Sequence, residues 1–205
     1  MNHRRGPRPP GQRIVELPPP IRVEGVSLWQ ALSSRRSQRE FGRLGLRGDE
    51  VAALLWAGQG LTSSEGGRAA PSAGALYPVT LTLADGRGVW RYRPRRHDLL
   101  EVTAEDRRVR LAAAALGQHF VAEAPATIVV TAEPAVLEGR YGDRSVRYCT
   151  LEAGHVAQNI LLQATALGLA SVPVSAFHDD EVLAAVGLGR EHLALYFVTV
   201  GRPRP

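Results

Sequence analysis

Between Arg144 and Leu167 lies the segment that most limits what this chain can fold into. Leu151, Val156, Ile160, Leu161, Leu162, Ala164 and Leu167 cover more than one face of a helix, so that helix has to be largely buried. Gly168 offers a C-terminal cap, and an apolar strand, Ala170 to Val174, follows at once. Along the same helix Glu152, His155, Asn159 and Gln163 recur at spacings of three and four and form a polar stripe. Such a stripe is either a solvent edge or, on a buried helix, the strip that meets a partner subunit or a pocket.

The remaining elements follow from capping and alternation. Ser27 is placed to cap a short helix through Leu28, Trp29, Ala31 and Leu32, which ends at a cluster of arginines. A second helix is expected from Asp49 to Ala57, with Val51, Leu54, Leu55 and Gly58 on one side, stopped by Gln59-Gly60. A hairpin runs from Pro78 to Leu83, turns at Ala84-Asp85-Gly86-Arg87-Gly88 and returns through Val89 to Tyr92. A helix from Ala104 to about Gln118, a strand from Ala126 to Thr131, a short helix after Asp179-Asp180 and a strand from Leu195 to Val200 complete the pattern. Trp29, Trp56 and Trp90 lie on these elements and are expected in the core. Helices mixed with hairpin-connected strands argue an α+β fold. The organisation is a Pro/Arg-rich arm over residues 1–24 and one domain over 25–205, large enough for a proper core at 44% apolar content.

Charge and cysteine content remove several function classes. The formal charge is +5, but Arg4, Arg5, Arg8, Arg13 and Arg22 sit in the proline-rich arm, and the other basic residues are interspersed with acids. That distribution argues against a nucleic-acid face. All 25 basic residues are arginine, so neither a Schiff-base lysine nor a lysine base is available. Cys149 is the only cysteine, which excludes an intramolecular disulfide and a cysteine metal cluster. His97 and His155 lack a second ligand at metal spacing, so no metal site is expected. No apolar run reaches the length of a membrane span and no signal core is present, which makes the cytoplasm the expected compartment. Gly-x-Ser-x-Gly, Walker A and Gly-x-Gly-x-x-Gly runs are absent.

Two segments carry chemistry. Ser34-Arg35-Arg36-Ser37-Gln38-Arg39 gathers guanidiniums and hydroxyls at a helix end, and guanidinium forks suit a phosphate monoester. Pro71-Ser72-Ala73-Gly74-Ala75-Leu76-Tyr77-Pro78 is a small-residue loop that lets a flat ring approach the backbone closely. Pro173-Val174-Ser175-Ala176 leaves a strand with N–H groups free for an acceptor, and Gly201-Arg202 adds a late arginine. Together they point to a phosphorylated planar cofactor, with flavin mononucleotide (FMN) the best candidate.

The order of these pieces, with Glu152-x-Gly154-His155-x-x-Gln158-Asn159 and Gly168-Leu169-x-Ser171-Val172-Pro173 between them, resembles the flavin-dependent nitroreductase superfamily. The Ser-Ala-Gly-Ala-Leu-Tyr-Pro version is similar to its SagB-type dehydrogenase branch, and the likeness runs from Leu17 to Pro203. It implies a mostly antiparallel sheet flanked by helices, a homodimer, FMN at the interface, and a small-molecule or peptide-derived substrate, with NAD(P)H a possible electron donor. Carried onto this chain, Arg35, Arg36, Ser37, Arg39 and Arg202 would hold phosphate and ribityl. Pro71, Ser72, Ala73 and Gly74 would reach the ring from the opposite subunit, and Pro173, Val174, Ser175 and Ala176 would lie against its N5 edge. Azoline dehydrogenases of this branch carry a Lys-Tyr pair before the long helix; the matching residues here are Arg140-Tyr141. Arginine cannot serve as that base, which leaves Tyr141 as the candidate catalytic side chain. The same substitution opens an alternative, a partner-dependent subunit of a peptide-modifying complex.

Overall fold

The computed structural model describes residues 11–21 and 24–204. Seven strands form one sheet: β1 (Ile14–Glu16), β2 (Val79–Asp85), β3 (Gly88–Arg93), β4 (Asp98–Thr103), β5 (Ala126–Ala132), β6 (Ala170–Val174) and β7 (Leu193–Gly201). Their spatial order is β1-β4-β3-β2-β5-β7-β6, and every neighbouring pair is antiparallel. The helices are α1 (Leu28–Ser34), α2 (Gly48–Gln59), α3 (Arg108–Ala114), α4 (His119–Glu123), α5 (Ala135–Tyr141), α6 (Ser145–Ala166) and α7 (Asp179–Ala185).

Alternation along the central strands puts apolar side chains on both faces of the sheet. Leu81 and Leu83 of β2, Ile128 and Val130 of β5, and Val198 and Val200 of β7 join α2 and α6 in one core. Ala84, Val129 and Phe197, from the same strands, join α3 and α7 in a second. The long helix buries one broad face, Ala153, Val156, Ala157, Ile160, Leu161 and Ala164, but Leu151, expected inside, is 51% exposed, so the helix is less enclosed than its sequence suggested. Each buried Val, Ile or Leu there contributes roughly 1.5–3 kcal/mol. Helix α6 ends as expected at Gly168 (φ 69°), where the Leu169 N–H donates to the Ala164 carbonyl. Ser27 caps α1 in a reciprocal box with Gln30.

Three expectations need correction or completion. The helix read from Ala104 to Gln118 is two helices. Leu116 and Gly117 both take positive φ (58° and 74°), and the Gly117 N–H closes α3 onto the Ala112 carbonyl before α4 begins. Trp29 is not in the core but 77% exposed; α1 buries only Ala31 and leaves Leu28, Trp29 and Leu32 outside. Trp56 is half-buried and Trp90 fully buried. Within the Pro/Arg-rich arm, residues 14–16 are extended and paired with β4, where the Leu17 N–H also donates to the His97 carbonyl. The arm's residues 1–10 and 22–23 lie outside the described residues. No described helix is long and apolar enough to cross a membrane.

Candidate functional site

Two groups of the singled-out residues emerge, one at the open ends of β6 and β7 and one around the 71–78 loop. In the first, residues 37–42 zip along the strand ends. Ser37 bridges Ser171, the Gln38 N–H donates to the Ser171 carbonyl at 3.0 Å, and the Gly42 N–H donates to the Arg202 carbonyl at 2.9 Å. Helix α1 ends at Arg35, so this pairing delivers the arginine cluster to the same edge as Arg202. A cleft of about 260 Å³ lies there, lined by Gln38, Arg39, Glu40, Pro203 and Arg204.

The arginines of this edge are not equivalent. The Arg36 guanidinium turns back and donates to the carbonyls of Ser33 and Arg35 at 2.9 and 2.8 Å, tying the end of α1. The Arg202 guanidinium pairs at 2.8 Å with Glu50, a buried carboxylate that Arg47 also holds at 2.8 Å. Breaking such a buried pair from one side costs about 3–5 kcal/mol, so Arg202 is fixed in place. Arg39 lies over the Phe120 ring at 5.8 Å. Neither Arg35 nor Arg39 has a carboxylate partner among the described residues. At the other end of β6, opposite Phe197, the strand leaves the sheet: Val174 is buried, Pro173 half-buried, and Ser175 and Ala176 exposed. The Ser175 and Ala176 N–H groups have no backbone acceptor among the described residues.

The second group is built on a strained turn. Gly74, Ala75 and Tyr77 take φ of 60°, 56° and 55°. For Ala75 and Tyr77 this left-handed backbone costs of order 1 kcal/mol each, and such strain gathers at functional sites. Pro71, Ala73, Gly74 and Ala75 are open or half-open to solvent. Gly74 sits against α5: a Cβ there would lie 2.8 Å from Arg140 Nη1 and 2.8 Å from Tyr141 Oη. Tyr141 packs edge-on against Tyr148 at 5.0 Å, and Arg140 lies 5.5 Å from the centre of its ring. The pair before the long helix therefore flanks the small-residue loop.

Behind the loop lies a polar cluster in which Gln59 and Arg68, given no functional reading from the sequence, meet Glu152 of the polar stripe. Gln59, at the end of α2, donates to Glu152 at 3.3 Å and accepts from Arg68 at 2.6 Å. Burial pushes the Glu152 carboxyl up, against the lowering effect of Ser72, Gln59, the Val79 N–H and Arg68. Burial likewise lowers the Arg68 guanidinium, which lies over the Tyr77 ring at 4.4 Å. The signal available in the sequence was Glu152 itself, an acid on a helix read as largely buried. The polar stripe divides: Glu152 turns inward, Asn159 donates to the Ala57 carbonyl at 3.1 Å, and His155 stays outside.

Cys149, one turn before Glu152, is fully buried, and burial pushes its thiol up to about 11. Native protein at pH 8 is therefore expected to react with iodoacetamide about a hundredfold more slowly than free cysteine, which intact-mass spectrometry would follow. Among the described residues no group of three or more His, Cys, Asp or Glu side chains is poised for a metal ion.

A single antiparallel sheet covered by helices on both faces, with an arginine-bearing edge, defines an α+β sandwich. The nitroreductase family model matches residues 32–202, and the chain belongs to that family. It is 37% identical over 194 residues to the Methanocaldococcus jannaschii protein named as nitroreductase MJ1384, covering 92% of this chain and 96% of that one. It is 26% identical over 223 residues to the trifolitoxin operon protein TfxC of Rhizobium leguminosarum bv. trifolii, where the match spans 62% of the relative. Among solved structures, a nitroreductase-type protein from Ralstonia eutropha JMP134 superimposes with a TM-score of 0.86 at 29% identity, covering 94% of this chain and 90% of that one. A chain of the Escherichia coli microcin synthetase McbBCD complex, at 20% identity and a TM-score of 0.72 over 90% of this chain and 76% of its own, shares the fold.

Proposed function

We propose that the chain is an FMN-dependent oxidoreductase of the SagB-type dehydrogenase branch, acting in the cytoplasm as a homodimer that moves a hydride between flavin and a small or peptide-derived organic substrate. The observation that carries this reading is the pair of guanidiniums, Arg35 and Arg39, without carboxylate partners among the described residues, Arg39 lining a cleft with Pro203 and Arg204, while β6 runs from this edge to the exposed Ser175 and Ala176. That donor set fits a phosphate and a polar ring edge. In this reading Arg35, Ser37 and Arg39 take the phosphate and ribityl, while Arg36 and Arg202 add positive field from positions already tied to α1 and Glu50. Pro173, Val174, Ser175 and Ala176 would line the N5 edge, with the Ser175 and Ala176 N–H groups as the donors that favour the electron-rich state. When bound, FMN supplies the hydride-accepting and hydride-donating centre.

In this reading Pro71, Ser72, Ala73 and Gly74 of a second copy complete the site, from a loop that is open or half-open to solvent in one chain. Dimer formation would also cover the apolar surface that one chain leaves open, Leu28, Trp29 and Leu32 of α1 with Val146 and Leu151 of α6. Tyr141 would then stand with Arg140 beside the ring-facing loop, placed to hold or move a substrate proton.

The test is anaerobic mixing of FMN-loaded protein with NADH and, separately, NADPH. Bleaching by either identifies a reductase; no bleaching by either, with bleaching by a reduced organic substrate, identifies a dehydrogenase. Tyr141→Phe is expected to lower turnover at least tenfold with FMN content unchanged; equal turnover removes the proton-handling role. The alternative, a partner-dependent subunit of a peptide-modifying complex, is favoured by Arg140 in place of lysine and by the likeness to a trifolitoxin operon protein. It predicts flavin binding with no turnover by the chain alone.

A further inference from the structure

We propose that Glu152 is a positioning residue for the 71–78 loop, supporting its two ends through a ring of polar neighbours, Gln59, Arg68, Tyr77 and Ser72. The ring itself rests only on contacts within this chain; that the loop faces a flavin rests on the function proposed above. Glu152 is 2% exposed, and a carboxyl is costly to bury unless its contacts compensate. Going round, Gln59 Nε2 donates to Glu152 Oε1 at 3.3 Å, and Arg68 Nη1 donates to Gln59 Oε1 at 2.6 Å. The Arg68 guanidinium lies 4.4 Å from the Tyr77 ring centre, and its backbone N–H donates to the Tyr77 hydroxyl at 3.1 Å. The Tyr77 N–H donates to Ser72 Oγ at 2.8 Å, and the Ser72 hydroxyl lies beside the Glu152 carboxylate, where it favours the charged form.

The ring therefore ties α2, the segment after it and α6 to both ends of the loop. What it encloses cannot hold its own shape: Gly74 and Ala75 are left-handed, as is Tyr77 at the closing end. Arg68 is the cation facing Glu152, and Cys149 on the same helix is its titratable neighbour. Glu152 Oε2 has no hydrogen-bond partner among the described residues, so the firmest hold on the carboxylate is Gln59 at Oε1. Because Gly74 abuts Arg140 and Tyr141, fixing the loop also fixes the gap between it and those side chains.

Glu152→Gln, Ser72→Ala and the double variant, each in the full chain, test this with two readouts: amide hydrogen exchange of residues 71–78 without flavin, and the dissociation constant for FMN. Each single variant is expected to speed exchange of 71–78 while α6 and β5 stay protected, and to weaken FMN about tenfold. The double variant is expected to fall well short of about a hundredfold, because both residues act through one connected set of contacts. Unaltered loop exchange in the single variants overturns the proposal, and so do effects that multiply. If the unsubstituted protein takes up no FMN, the flavin reading fails by itself and loop exchange still decides the role of Glu152. Should Glu152→Gln not fold, Ser72→Ala at a half-buried loop residue decides it: unchanged exchange there opens the ring and refutes it.

Discussion

Replacing Arg35 and Arg39 together by alanine is expected to give a folded protein that no longer retains FMN. Each lost charged hydrogen bond to phosphate costs about 1–3 kcal/mol, so the pair should weaken affinity a hundredfold or more. Stability should change little, because neither guanidinium has a carboxylate partner among the described residues. The cation–π contact of Arg39 with Phe120 is worth at most about 1 kcal/mol at an exposed site. Titration of apoprotein with FMN by fluorescence quenching, beside a thermal melt, separates the two effects. Arg202→Ala provides the contrast: it leaves buried Glu50 with Arg47 alone, so it should lower the melting temperature as well as affinity. Unchanged FMN affinity in the Arg35/Arg39 double variant would remove the phosphate from this edge.

The largest expected loss of stability is for Gly88→Val. Gly88 opens β3 at φ 135°, a conformation that side-chain-bearing residues rarely adopt. A Cβ there would also collide with the Thr103 carbonyl oxygen and the Ala104 backbone, neither of which is a flexible side-chain end. Strain and collision act together where β3 pairs with both β2 and β4, so the cost is expected to exceed about 3 kcal/mol. Gly86→Ala, two residues earlier, is the control. Its added Cβ meets only flexible side-chain ends, Arg108 Nη2 at 3.2 Å and Asp106 Oδ2 at 3.9 Å, and a change below about 1 kcal/mol is expected. Urea midpoints for the two variants test the contrast.

What could be read from the sequence followed the strength of each local signal. Helix α6 and strand β6 were readable almost residue by residue, because a long apolar pattern closes at Gly168 and an apolar strand follows directly. The β2–β3 hairpin carried its own turn. Strands β1 and β4 were missed because β1 is short and lies among prolines, and β4 begins with Asp98, buried only through its ion pair with Arg93. The break between α3 and α4 depends on Leu116 taking a left-handed backbone, which nothing in its side chain announces. At the site, residue types were informative and partnerships were not. Arginines near the start and end of the chain are legible as candidate anion binders, but only the fold reveals that Arg202 is tied to Glu50 and Arg36 to its own helix. The Glu152 ring was hidden for the same reason: its members come from four separate stretches of chain and meet only once α2 packs on α6.

The account stands or falls on two protomers enclosing a flavin between the arginine edge of one and the 71–78 loop of the other. The most direct measurement is the absorbance spectrum of the purified protein after incubation with FMN and gel filtration, read together with the mass of the eluting particle. It predicts a yellow particle of two 22.1 kDa chains carrying one FMN per chain. A colourless single chain that takes up no FMN would contradict it.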